Sequence, residues 1–94
     1  MYRTVLWFVA LMFEKLDQNR FKMGWDGCTQ NWLLARLDQE VGELRQAIAD
    51  NKPARDIAYE AADIANFAMM IADNSQAYQA VEEKREKRDE VADG

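Results

Sequence analysis

Ninety-four residues, 49% hydrophobic and 31% charged, are enough for one folded domain near the lower size limit of a single core, a limit that oligomerisation relieves. A net charge of −5 argues against non-specific binding to nucleic acid or to anionic membranes, which calls for clustered Lys and Arg. The single cysteine, Cys28, and the absence of histidine exclude an intrachain disulfide, a cysteine-rich zinc site and the Glu-x-x-His pattern of di-iron bundles, and they fit a reducing cytoplasm.

With four Gly and one Pro, long helices can run uninterrupted, so the expected fold class is all-α. An antiparallel bundle of three long helices plus a short C-terminal helix, in one domain over 1–94, follows from the chain order. The first helix spans roughly 3–21, with Leu6, Val9, Phe13 and Leu16 on one face and Val5, Phe8 and Met12 beside them. So wide an apolar arc predicts burial on two sides, by the rest of the protomer and by a partner. Its apolar run, Val5 to Phe13, continues into Glu14-Lys15-Leu16 without a small-residue cleavage site and is too short to span a bilayer, so it reads as a helix.

Met23-Gly24 ends that helix and Trp25-Asp26-Gly27-Cys28 reads as a loop, with Thr29 or Asp26 capping the next helix. From 30 to 50, Leu34 or Leu33, Leu37, Val41, Leu44 and Ile48 recur at helical spacing. Asn51-Lys52-Pro53 breaks the pattern, and a third helix runs to about Asp73 on Ile57, Ala61, Ile64, Ala68 and Ile71, with Phe67 and Met70 alongside. Ser75 is placed to cap a short fourth helix through Tyr78 and Val81, and 82–94 reads as a charged, solvated tail in which Glu83 and Lys87 form an i, i+4 pair.

Two pairs of acids stand out. Glu40 and Glu43, then Glu60 and Asp63, are each spaced i, i+3, which places each pair on one helix face. Glu43 and Glu60 are each seven residues from the turn at 50–53, about 10 Å along the axes, and Glu40 and Asp63 are each ten residues away, about 15 Å. An antiparallel hairpin therefore sets Glu43 level with Glu60 and Glu40 level with Asp63. Each acid immediately precedes an apolar position (Val41, Leu44, Ala61, Ile64), so the acidic stripes are expected to border the buried seam. Four adjacent carboxylates must shed charge by protonation or by binding a cation. An all-oxygen ligand set selects hard cations, Mg²⁺ with Mn²⁺ as a substitute, before Zn²⁺. The competing reading is four ordinary surface acids compensated by Arg36, Arg45 and Arg55.

The pattern Glu40-x-x-Glu43 followed by Glu60-x-x-Asp63 resembles the MazG-like all-α nucleoside triphosphate pyrophosphohydrolases, in particular short phage-type members. Lys22-Met23-Gly24-Trp25, Trp32-Leu33-Leu34-x-x-Leu37 and the run from Glu60 through Asn66-Phe67-Ala68-Met69-Met70 to Asp73 extend the resemblance over about residues 10–75. It implies a helical bundle assembled as a homodimer or homotetramer, and Mg²⁺ held by Glu40, Glu43, Glu60 and Asp63. It also implies hydrolysis of a nucleoside triphosphate between the α and β phosphates, with Glu40 or Glu43 taking a proton from the attacking water. Gln39 stands where some members carry a further acid, which leaves open a non-catalytic nucleotide- or metal-binding regulatory module of the same fold. For the substrate, Lys22 and Arg36 are candidate phosphate contacts, Arg36 being equally placed as a salt-bridge partner. Asn66 is a candidate for a sugar hydroxyl, a phosphate or a metal-bound water. Trp25 and Trp32 are candidates for stacking on the base, Trp32 alternatively for the core, whereas Trp25, flanked by glycines, has less packing reason to be where it is. Trp7, Tyr59 and Phe67 are expected in the core or an interface.

Overall fold

A computed structural model describes residues 2–18, 24–75 and 83–88. Three long helices, α1 (Tyr2–Gln18), α2 (Gln30–Ala49) and α3 (Ala54–Asn74), are described, α2 and α3 being joined by a short turn, and residues 83–88 are helical and exposed. Among the described residues there is no strand. The expected helix from Ser75 through Val81, the end of the first helix beyond 18, and Lys22 all fall on or reach into residues outside those described.

Local chemistry sets the helix ends. The Thr29 hydroxyl accepts the backbone N–H of Trp32 at 3.1 Å and caps α2. At the other end Asn51 takes φ 52, its N–H donates to Ile48 O at 3.1 Å, and the N–H of Lys52 donates to Ala47 O at 3.0 Å. This pair of bonds is the Schellman arrangement, which satisfies carbonyls that the helix leaves open and turns the chain sharply. Pro53 then opens α3 with a fixed φ of −53, its carbonyl accepting from Asp56 and Ile57. So short a turn makes α2 and α3 antiparallel neighbours.

The hairpin is rotated from the expected register. The buried residues of α2 are Leu33, Glu40 and Ala47, seven apart, and those of α3 are Ala62, Asp63, Asn66, Phe67 and Met70. Val41, Leu44, Ile57, Ala61, Ile64 and Ile71 are only half-buried, Ala68 is exposed, and Leu34 and Ile48 are 52% and 55% exposed. The acids thus do not border the seam; Glu40 and Asp63 lie in it. Bulk explains the rotation. Leu33, Phe67 and Met70 form the core at one end of the hairpin, joined by Leu16, Trp25, Cys28 and Leu37, while Ala47 and Ala62 are the small residues elsewhere in the seam.

α3 packs against both α2 and α1, which do not pack against each other, so the described helices are arranged about α3. The face of α1 turned inward is Phe8, Leu11, Met12, Lys15 and Leu16, all half-buried. Tyr2, Val5, Leu6, Trp7, Val9 and Phe13 are exposed, so of the expected stripe Leu6, Val9, Phe13 and Leu16 the protomer itself partly covers Leu16. The radius of gyration is 17.1 Å, against about 12 Å for a compact chain of this length.

The turn provides a direct check. Asn51→Val is expected to lower unfolding free energy by about 1–2 kcal/mol in urea titrations, because a β-branched residue is strained at positive φ. Asn51→Gly, free of that strain, is expected to stay within about 1 kcal/mol of the parent.

Candidate metal centre

Consecutive turns of α2 and of α3 deliver the four acids, and α1 delivers a cation to them. Glu40 and Asp63 are 5% and 6% exposed, Glu60 is half-buried and Glu43 is exposed at the rim. Glu40, Glu60 and Asp63 each present a carboxylate oxygen within 4.8 Å of the others. Glu43 lies close enough to Glu40 and Glu60 to act on both carboxyls, and it walls the same groove as Glu60. Both rungs of the hairpin are therefore formed, one by Glu40 with Asp63 and one by Glu43 with Glu60.

An ionised carboxylate only accepts hydrogen bonds, so carboxylates in contact need a shared proton or a cation between them. Burial first, then the hydrogen bond to Glu43 and the charges of Asp63 and Glu43, push Glu40 from the ordinary 4.5 up to about 7, with Arg36 opposing. Glu60 is raised for the same reasons, burial leading, with Lys15 opposing. Two cations already offset part of the charge. Lys15 Nζ lies 3.4 Å from Asp63 Oδ2, and Arg36 Nη2 lies 3.3 Å from Glu40 Oε1. Arg36 also bonds Gln39 and sits over the Phe67 ring at 5.4 Å, so it is committed to the cluster on several sides.

Compensation is incomplete. Glu40 Oε2, Glu60 Oε2 and Asn66 Oδ1 are buried without a hydrogen-bond partner, a costly condition that native structures rarely leave unmet. Orphaned carboxylate oxygens from two helices, close together, are the donor set of a hard divalent cation. The residues present therefore fit Mg²⁺ or Mn²⁺. A groove of about 410 Å³ opens beside them, walled by Lys15, Glu43, Gln46, Lys52, Tyr59 and Glu60 among others.

The remaining candidates are distributed differently. Arg36 joins the cluster. Asn66 is buried, and its Nδ2 donates to the Met12 carbonyl at 3.0 Å, tying α1 to α3. Trp25 has a packing role after all: it lies on the Leu33–Phe67–Met70 core and its indole N–H donates to Asp73 at 3.0 Å. Asn74 fixes the same loop by donating to the carbonyls of Trp25 and Cys28. Asp73 is ten residues beyond Asp63, about 15 Å along α3. Trp32 is 46% exposed, outside the core, and neither tryptophan lines the groove. Phe67 is core, whereas Trp7 is 55% exposed. The aromatic residue in the groove is Tyr59, whose hydroxyl donates to Glu14 Oε2 at 2.8 Å. Sequence reasoning passed over Tyr59 and Lys15 as site residues. Their helical offsets, Tyr59 one turn before Asp63 and Lys15 within the inward stripe of α1, carry that signal only once the rotation of each helix is known.

Compared with models of known protein families, with curated proteins and with solved structures, the chain gives no match.

The raised acids predict a pH dependence with a definite sign. A carboxyl whose pKa rises on folding stabilises the fold fully below its unfolded value, near 4.5 for Glu40, and that stabilisation is lost as pH climbs through about 7. The melting temperature of metal-free protein should therefore fall between about pH 5 and pH 8, and Glu40→Gln should flatten the decline. Calorimetric melts in EDTA across that range check both.

Proposed function

We propose that the chain is a MazG-like nucleoside triphosphate pyrophosphohydrolase that cleaves a nucleoside or deoxynucleoside triphosphate to the monophosphate and pyrophosphate, in housekeeping of the nucleotide pool. The observation that carries the reading is the meeting of Glu40, Glu60 and Asp63 within 4.8 Å, with orphaned buried oxygens, beside an open groove. Glu40, Glu43, Glu60 and Asp63 would hold Mg²⁺, or Mn²⁺ in its place, and the ion would supply neutralisation of phosphate charge and an acidified water.

The chain's own residues have separable tasks. Glu40 and Glu43 lie close enough to raise the Glu40 pKa, and either carboxylate, once ionised, can accept the proton of an attacking water. Glu43 is the better placed of the two, because it is exposed at the groove while Glu40 is buried. Lys52 and Lys15 line the same groove and supply positive charge for phosphates. No side-chain nucleophile is required.

Incubation with a panel of nucleoside triphosphates and Mg²⁺ is expected to yield monophosphate and pyrophosphate, and EDTA to abolish the yield. Glu43→Gln is expected to lose more than the roughly 10–100-fold that follows loss of a residue merely supporting a metal ligand. Absence of these products from every triphosphate, or full activity in Glu43→Gln, would rule the reading out. One observation favours a second reading: Gln39, where a further acid would serve as base, is held by Arg36. A non-catalytic nucleotide- or metal-binding module would show Mg²⁺-dependent thermal stabilisation with no hydrolysis.

The same reading includes assembly of two or four copies. Exposed Leu6 and Phe13 on α1, at 69% and 66%, are what a second copy would cover. Sedimentation should show an oligomer for the parent, and Leu6→Glu with Phe13→Glu should shift it to monomer.

A further inference from the structure

We propose that Lys15 is an exchangeable counter-cation, holding Asp63 while the acid cluster is metal-free and giving that carboxylate up to a divalent ion. The inference rests on the metal reading of the site given above. Its basis is the contrast between the two cations that touch the cluster. Arg36 is fastened by Gln39, Glu40 and the face of Phe67, and it comes from the same helix as the acid it pairs with. Lys15 comes from α1, which contributes none of the four acids, and its ion pair among the described residues is with Asp63 alone. It can leave without disturbing α2 or α3.

The groove lies within its reach. In the position where it pairs with Asp63, Lys15 Nζ also lies 5.8 Å from the centre of the Tyr59 ring, within range of a cation–π contact, and both residues wall the groove. A four-carbon stem with a point charge at its tip can reorient from Asp63 toward that wall. An ammonium and a divalent ion repel one another when both lie within a few ångströms of the same carboxylate, so occupation by one disfavours the other. Lys15 would then face whatever anion enters with the metal. Its ligand there is a phosphate group, the anion class that accompanies Mg²⁺.

The two roles predict opposite effects of one substitution. Titration of the full chain with Mn²⁺, followed by electron paramagnetic resonance, gives metal affinity without turnover. Calorimetric titration with inorganic pyrophosphate in saturating Mg²⁺ gives anion affinity. Lys15→Met is expected to bind Mn²⁺ on the order of tenfold more tightly, equivalent to about 1.4 kcal/mol, and pyrophosphate on the order of tenfold more weakly. Lys15→Arg should stay within about threefold of the parent in both. A residue that only props α1 in place would weaken both ligands when removed.

Each result decides between the claims. Parent binding of Mn²⁺ with unchanged or weaker binding by Lys15→Met overturns the exchange while leaving the metal reading intact. Tighter Mn²⁺ binding without loss of pyrophosphate affinity overturns the phosphate role. No Mn²⁺ binding by either protein overturns the metal reading and the exchange with it. Should Lys15→Met lose its helical circular dichroism, Lys15→Gln repeats the comparison with a neutral polar chain.

Discussion

Two carboxylates inside a helix–helix contact are the condition to which the rest of this fold responds. Glu40 and Asp63 occupy positions in the α2–α3 seam where apolar side chains would ordinarily pack, with Glu43 and Glu60 directly beside them. Buried like charges cannot all remain ionised without compensation. Compensation here comes from three directions: a raised pKa that favours protonated Glu40, Arg36 from within α2, and Lys15 from across α3. Three buried oxygens, on Glu40, Glu60 and Asn66, still lack hydrogen-bond partners.

That arrangement also accounts for how α1 is attached. No α1 residue is fully buried, and its apolar contact with α3 is limited to half-buried side chains. Polar ties supplement it: Lys15 to Asp63, Met12 carbonyl to Asn66, and Glu14 to Tyr59. The acid cluster and the docking of α1 are therefore coupled through residues spaced along one stretch of α3. At the far end of α3 the ties are of another kind, since Trp25 and the loop around it are held by Asp73 and Asn74 over the main apolar core.

Helix ends and axial levels could be read from the sequence because they depend on local chemistry and on a fixed rise per residue. Thr29, Asn51 and Pro53 stop and start helices through their own backbone and side-chain bonding, and counting from the turn set Glu43 opposite Glu60. Rotation about the axis was not readable in the same way. Leu33-Glu40-Ala47 and Leu34-Val41-Ile48 have the same spacing, and hydrophobicity favours the second, yet the first is buried. What decides between them is the fit of Phe67 and Met70 against Leu33 and the capacity of Arg36, one turn before it, to make Glu40 tolerable inside. Lys15 was invisible for the related reason that its partner is 48 positions away, and Trp25 looked free because its partners, Asp73 and Asn74, arrive only after α3 is formed.

The short turn between α2 and α3 has a kinetic consequence. Contacts across a hairpin closed by so few residues are local and form early, whereas α1 must find α3 over a much longer loop of chain. The four acids are then brought together before Lys15 can reach them, so the early hairpin carries its charge repulsion with Arg36 but not Lys15 to offset it. Proton concentration is thus expected to act on the rate at which this chain folds, by easing a collision of carboxylates that precedes the docking of its first helix.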